Sequence, residues 1–264
     1  LRGGRGYAPA PLPLAPREDG VLPPGADDPG NGAPADEGPD VLAVGAHLKN
    51  TVALAAGRRA FISQHLGDLE TVQAWAAFRK TLDELAALYE AQPAAVACDL
   101  HPDYASTRHA GRTGLPVEPV QHHHAHVAAC MAEHGLKGTV LGVSWDGTGY
   151  GPDGTVWGGE FLLAGRGEFR RAARLRHFRL PGGDRAAVEP RRAALGLLYE
   201  ILGRELAALG GLPPVAAFAP AELRLLLQML SRGVSAPLTS SMGRLFDAVA
   251  SLAGLRQRSD FEGQ

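Results

Sequence analysis

Between Val41 and Trp145 three short β-prone runs come first, and then helices and strands alternate. That order leaves few ways to fold. The runs are Val41–Ala46, Thr51–Ala55 and Arg59–Ser63, with Gly45 and Gly57 among the turn-forming residues that punctuate them. A helix is expected over Thr71–Ala91, where Val72, Trp75, Leu82, Leu85 and Tyr89 recur at three- or four-residue spacing. Asp68 or Thr71 can cap it. Ala94–Cys98 reads as a buried strand, His122–His134 as a second helix ended by Gly135, and Thr139–Trp145 as the next strand. Strands joined across helices must pair in parallel, so the class is α/β.

The order β-β-β-α-β-α-β is that of an RNase H-like half domain. After Gly149 the pattern changes to a Gly-rich turn and a strand over Trp157–Ala164. Helices are then expected over Pro190–Leu202, Ala221–Arg232 and Ser241–Ala253. Pro190 and Pro220 sit where a first-turn proline is tolerated. Three regions follow: a largely disordered linker over 1–40, an α/β half over 41–150, and a mainly helical half over 151–264. Pro, Gly, Ala and acids dominate Ala8–Asp40, which offers too little apolar surface to fold. The chain opens without Met and stops just after an apolar stretch, so a fragment incomplete at its C-terminus is expected.

With 264 residues and a hydrophobic fraction of 45%, the chain can bury one sizeable core or two small ones. A formal net charge of -2 gives no global signal for a nucleic-acid or membrane surface. The 2 cysteines, Cys98 and Cys130, form no CxxC pair. No apolar run approaches a membrane span, and a cytoplasmic setting is expected.

The strongest local signal is Gln121-His122-His123-His124-Ala125-His126. His122 and His126 are four apart and share one helix face, a spacing that lets two imidazoles bind one ion. Such a pair is also common on surface helices. His123 and His124 point elsewhere, and Cys130 reads as a small buried residue under the site. Next comes Asp146-Gly147-Thr148-Gly149-Tyr150-Gly151, with an Asp at a strand's carboxyl end and glycines that let backbone amides approach phosphate. Asp146 can complete a metal site with the histidines, or simply cap a turn. Lys49 lies in the turn after the first strand, where an ammonium suits a phosphate or merely meets solvent. Arg244, in the Ser240-Ser241-Met242-Gly243-Arg244 segment that opens a helix, suits an anion.

Taken together, these segments resemble the hydrogenase-maturation carbamoyltransferase family, HypF. The resemblance is carried by Leu42–Thr51, Ser63–Glu70, Cys98–Tyr104, Gln121–His126, Trp145–Gly151, Trp157–Glu160, Leu180–Asp184 and Ser240–Val249. It implies the Kae1-like member of the actin-like ATPase (ASKHA) fold. It implies an enzyme that uses carbamoyl phosphate and ATP to form carbamoyl-adenylate. The carbamoyl group then passes to the C-terminal Cys thiol of a HypE-type maturation protein, as precursor of a cyanide ligand. By motif, His122, His126 and Asp146 hold a divalent metal, zinc or iron, and serve catalysis. Lys49, Asn50, Thr51, Gly147, Thr148, Gly149, Gly182, Gly183, Asp184 and Arg244 bind nucleotide and phosphate.

Other readings stay open. Related transferases act on a small-molecule hydroxyl or on tRNA, and the near-neutral charge disfavours the tRNA version. A fragment can also be an inactive nucleotide- or partner-binding module. A metallohydrolase rests on the histidine pair alone and lacks the Glu that a zinc-protease helix carries.

Overall fold

The computed structural model describes residues 11–14, 38–165 and 167–261. The chain divides into two compact units, Leu1–Lys137 and Gly138–Gln264.

The first unit is built on a 6-stranded sheet. In chain order its strands are β1 (Pro11–Pro13), β2 (Val41–Ala43), β3 (Ala53–Ala56), β4 (Arg59–Ile62), β5 (Ala95–Asp99) and β6 (Val117–Val120). They lie side by side as β1-β4-β3-β2-β5-β6. β2, β3 and β4 form the antiparallel meander expected from the three β-prone runs, and β5 and β6 add in parallel beside β2. Helix α1 (Val72–Leu88) presents Phe78, Leu82 and Leu85 to a core that also holds Val44, Val52, Leu54, Phe61 and Val96. Of the expected stripe, Val72 is exposed and Phe78 takes its place in the core. Thr71 caps α1 by accepting the Ala74 N–H. Asp68 instead accepts the Lys49 N–H. Two short elements, α2 (Ala105–Ala110) and β6, stand where a connection was expected, and α3 (His122–Glu133) follows them.

The linker expected over 1–40 needs one correction. Pro11–Pro13 pairs antiparallel with Arg59–Phe61 of β4. Proline donates no N–H, so a strand of this composition is tolerated only at an edge, and β1 is an edge. Residues 1–10 and 15–37 of that linker lie outside the described residues.

The second unit has a 5-stranded sheet of β7 (Val140–Tyr150), β8 (Val156–Ala164), β9 (Phe169–Arg174), β10 (Phe178–Arg179) and β11 (Leu238–Thr239). The run over Thr139–Trp145, expected to close the first half, is the start of β7, so the compact units part before Gly138 rather than after Tyr150. Its long antiparallel pairing with β8 is what commits it to the second sheet. Helices α4 (Arg185–Val188), α5 (Pro190–Leu202), α6 (Pro213–Ala216), α7 (Pro220–Arg232) and α8 (Met242–Leu252) make up most of the rest, with a 3-10 turn over Gly203–Ala208. Helices and a 5-stranded sheet share this half, and the sheet is larger than the single strand read from the sequence. α5 lies so close on β10 that a Cβ at Gly196 would stand 1.8 Å from the Arg179 carbonyl oxygen.

Leu195, Leu198, Leu206, Val215, Phe218, Leu226 and Leu230 form one apolar core there. Beside it, Arg191 and Arg192 are buried and ion-paired with Glu189 and Glu222. Burial pushes the Glu189 carboxyl up, but the two arginines outweigh this and hold it below its usual range. No helix among the described residues is long and apolar enough to cross a membrane.

Candidate functional site

In the first unit, α3 begins where β6 ends, at the carboxyl edge of the parallel strands. Gln121 caps it, its side-chain oxygen accepting the His124 N–H at 2.9 Å. The cap fixes the first turn, and the helical spacing then brings His122 and His126 together. Their Nε2 atoms lie 3.2 Å apart. His122 is half-buried and His126 exposed. His123 and His124 turn inward and are buried, with Gln121 Nε2 at 3.2 Å from His123 Nδ1.

Asp99, at the end of β5, belongs to a turn that the sequence marks only as a weak candidate, with no role assigned to Asp99 itself. Its Oδ2 lies 2.9 Å from His122 Nδ1. The signal that points to it is its position just past a strand end, in the Asp99–Tyr104 turn. In that turn the His101 and Tyr104 rings stack with centroids 4.2 Å apart.

Cys98 is buried, and burial together with the Asp99 charge raises its thiol pKa. It stays protonated and is a poor nucleophile. Cys130, expected to be buried, is exposed, because its position on α3 turns away from the face of Val127 and Met131.

Two turns of this unit are latched together. Gly45 adopts φ +66, and a Cβ there would stand 2.2 Å from the Thr51 carbonyl oxygen. Asn50 is buried, and its Nδ2 donates to the Val44 and Ala46 carbonyls at 2.9 and 2.5 Å. Its backbone pairs with Gly67 and Leu66. Lys49 has φ 48 and is exposed. The Gln64–Glu70 turn therefore serves as the support of the Gly45–Thr51 turn. Asn50 shapes that turn, Thr51 is half-buried and Lys49 is exposed.

In the second unit, Asp146 is not past a strand end. β7 runs for 11 residues to Tyr150, and its register with β8 shifts between Trp145 and Gly149. Asp146, Gly147 and Thr148 thus form a bulge opposite Gly158, a device that re-aims side chains. The bulge is packed against backbone. A Cβ on Gly158 would meet the Asp146 carbonyl oxygen at 2.6 Å, and one on Gly243 would meet the Gly147 Cα at 2.8 Å. Ser241, buried, places its Oγ 3.1 and 2.7 Å from the Asp146 and Gly147 carbonyl oxygens and accepts the Arg244 N–H that starts α8. Arg244 joins the bulge through this turn, and its guanidinium pairs with Asp247 at 2.9 Å.

A polar brace holds the other end of the hairpin. Asp153 accepts from Thr155, from Trp157 Nε1 and from Arg171, whose guanidinium lies 4.1 Å over the Trp157 ring. Burial alone would raise the Asp153 pKa, but these hydrogen bonds outweigh it and depress it far below the usual range. Glu160 is fully buried and accepts from Ser240, from the Gly158 and Gly159 amides and from Arg171.

The Pro181–Asp184 turn is shaped by Gly182 and Gly183 at φ 89 and φ 55, and the Gly182 N–H donates to the Ser235 carbonyl at 2.8 Å. Asp184 is exposed.

Comparison with known proteins covers both units. The family model described as the HypF Kae1-like domain matches residues 36–133, and that described as the second subdomain of the carbamoyltransferase Kae1-like domain matches 142–264. Carbamoyltransferase HypF of Synechocystis is 42% identical over 277 residues, covering 100% of this chain and 34% of that protein. Carbamoyltransferase HypF2 of Cupriavidus necator is 43% identical over 268 residues, covering 100% of this chain and 30% of that protein. A solved structure described as full-length HypF in the phosphate- and nucleotide-bound form superposes with a TM-score of 0.86 at 38% identity, over 100% of this chain and 32% of that one. The chain thus spans about a third of the length of these relatives. With both subdomain models matched in order and whole-chain identity above 40% to these curated relatives, the chain belongs to the HypF family, as its Kae1-like portion.

Proposed function

We propose that this chain is the carbamoyl-transferring portion of a hydrogenase-maturation enzyme. It takes carbamoyl-adenylate, made from carbamoyl phosphate and ATP, and passes the carbamoyl group to the C-terminal Cys thiol of a HypE-type partner. The observation that carries the reading is the 3.2 Å spacing of the His122 and His126 Nε2 atoms. Two nitrogens each about 2.0–2.1 Å from one ion at a tetrahedral angle stand about 3.3 Å apart, so the pair fits a single zinc or iron ion. Asp146 is the third ligand proposed by motif. When bound, the ion supplies a Lewis acid that favours charge on the carbamoyl oxygen and neutralises phosphate.

The chain's own groups bind and orient the nucleotide. By motif, Gly147, Thr148 and Gly149, and Gly182 and Gly183 beside Asp184, line the phosphates. The Gly147, Gly182 and Gly183 amides already donate to Asp146 Oδ1 and to the Ser235 and Leu180 carbonyls, so these glycines serve by letting the backbone come close. Lys49 and Arg244 supply positive charge, and the Asn50–Thr51 turn carries Lys49 outward. In the transfer the partner's thiolate forms a bond to the carbamoyl carbon. The bond from that carbon to the phosphate oxygen breaks, and AMP leaves with the electron pair. Neither Cys98, held protonated, nor Cys130 is needed as a nucleophile. Nucleotide use is supported by the relative solved in its phosphate- and nucleotide-bound form.

Single-turnover mixing of the chain with carbamoyl-adenylate and a Cys-ending peptide tests the reading. Release of AMP with a thiocarbamate on the peptide is expected. Absence of both products overturns it.

A further inference from the structure

Asp99 carries two acceptor duties at once. Its side chain is 6% exposed. Oδ1 accepts the His101 N–H at 2.8 Å, and Oδ2 stands 2.9 Å from His122 Nδ1. The Asp99 carbonyl also accepts from Thr107 Oγ1, so the end of β5 is fixed at both its backbone and its side chain. A neutral imidazole carries one ring hydrogen, and an ionised carboxylate can only accept. The hydrogen between Oδ2 and Nδ1 therefore belongs to Nδ1, and the acceptor nitrogen of His122 is Nε2, which faces His126.

We infer that Asp99 is the positioning residue of the histidine pair: it holds His122 as its Nδ1–H tautomer and aims the Nε2 lone pair at the ion. The inference rests on the metal reading above and adds to it a residue outside the motif. A carboxylate behind a ligating imidazole fixes ring orientation and raises ligand basicity. The same carboxylate ties the ring to the Leu100–Tyr104 turn through His101, so turn and pair move as one piece.

Asp99→Asn is the informative change. An amide has one oxygen, and two N–H donors compete for it. If the oxygen stays with the His101 N–H, the NH2 group faces His122 Nδ1 and forces the ring to the opposite tautomer. Two measurements on the whole chain decide the matter. Long-range 1H–15N spectra of the metal-free protein, at a pH where the ring is neutral, report the His122 tautomer, with the signal assigned by its loss in His122→Gln. Chelator competition reports zinc affinity.

The wild-type ring is expected to be protonated at Nδ1. Asp99→Asn is expected to shift it toward Nε2–H and to weaken zinc binding about 10- to 100-fold. A wild-type ring protonated at Nε2 overturns the inference, and this needs no folded variant. So does an Asp99→Asn protein that keeps both the wild-type tautomer and the wild-type affinity. Failure of the wild type to bind zinc while its ring is Nδ1–H overturns the metal reading and leaves the positioning of His122 by Asp99 supported.

Discussion

Ser241 Oγ lies 2.7 Å from the Gly147 carbonyl oxygen and also accepts the Arg244 N–H. One hydroxyl thus caps α8 and clamps the bulge that carries Asp146. Ser241→Ala removes the cap and the clamp together. Loss of an N-cap alone costs about 0.5–2 kcal/mol, and the upper end is expected here because the hydroxyl is buried. Urea unfolding of the two proteins checks this. Nucleotide binding, followed by titration calorimetry, should weaken as well, because the bulge is freed.

Gly45 faces the Thr51 carbonyl oxygen across the Lys49 turn, with 2.2 Å available for a Cβ. Gly45→Ala must open the turn, and it also places an L-residue at positive φ, which costs about 1–2 kcal/mol before the clash is counted. Thermal unfolding should show the loss. Gly183→Ala, also at positive φ but with open space around it, should lose less.

Glu160 accepts from four donors in a fully buried setting. Glu160→Ala leaves the Ser240 hydroxyl, the two amides and one arm of Arg171 without their acceptor, though Arg171 keeps Asp153. Removing one partner of a buried pair costs about 3–5 kcal/mol. Glu160→Gln keeps the shape and one acceptor and should lose clearly less. Equal losses in chemical unfolding would contradict the hydrogen-bonding role.

Asp153 has its folded pKa depressed, so the unfolded chain binds its proton first on acidification. Its contribution is fully present above the unfolded value of about 3.9 and is lost as pH falls through the lower folded value. The stability gap between wild type and Asp153→Asn is therefore expected to be constant near neutrality and to shrink below about pH 4. Unfolding midpoints measured over that range check the sign.

How much of this was legible in the sequence depends on what each element needs. α5 was read to the residue, because Pro190 marks its first turn and Gly203 follows its end. The meander β2–β3–β4 and helices α1, α3, α7 and α8 were read within a few residues, since each carries its own periodicity or punctuation. β6 was missed because Val-Glu-Pro-Val has no strand pattern, and it is a strand only through its edge position beside β5. β10 and β11 span two residues each and exist through pairing alone. The histidine pair was visible because helical spacing is local. The turn of Asp99 is visible as a weak candidate, but its role is not, because its link to His122 spans 23 positions and depends on the parallel pairing of β5 and β6. The bulge at Asp146 reads in the sequence as a strand end followed by a glycine-rich segment, since nothing local distinguishes the two.

The most direct test of the account is the metal content of the purified chain beside that of the His122→Ala, His126→Ala double variant, by elemental analysis. The expected result is near-stoichiometric zinc or iron in the wild type and its loss from the double variant, with the circular dichroism spectrum unchanged. Metal retained by the double variant, or none in the wild type after reconstitution, would contradict it.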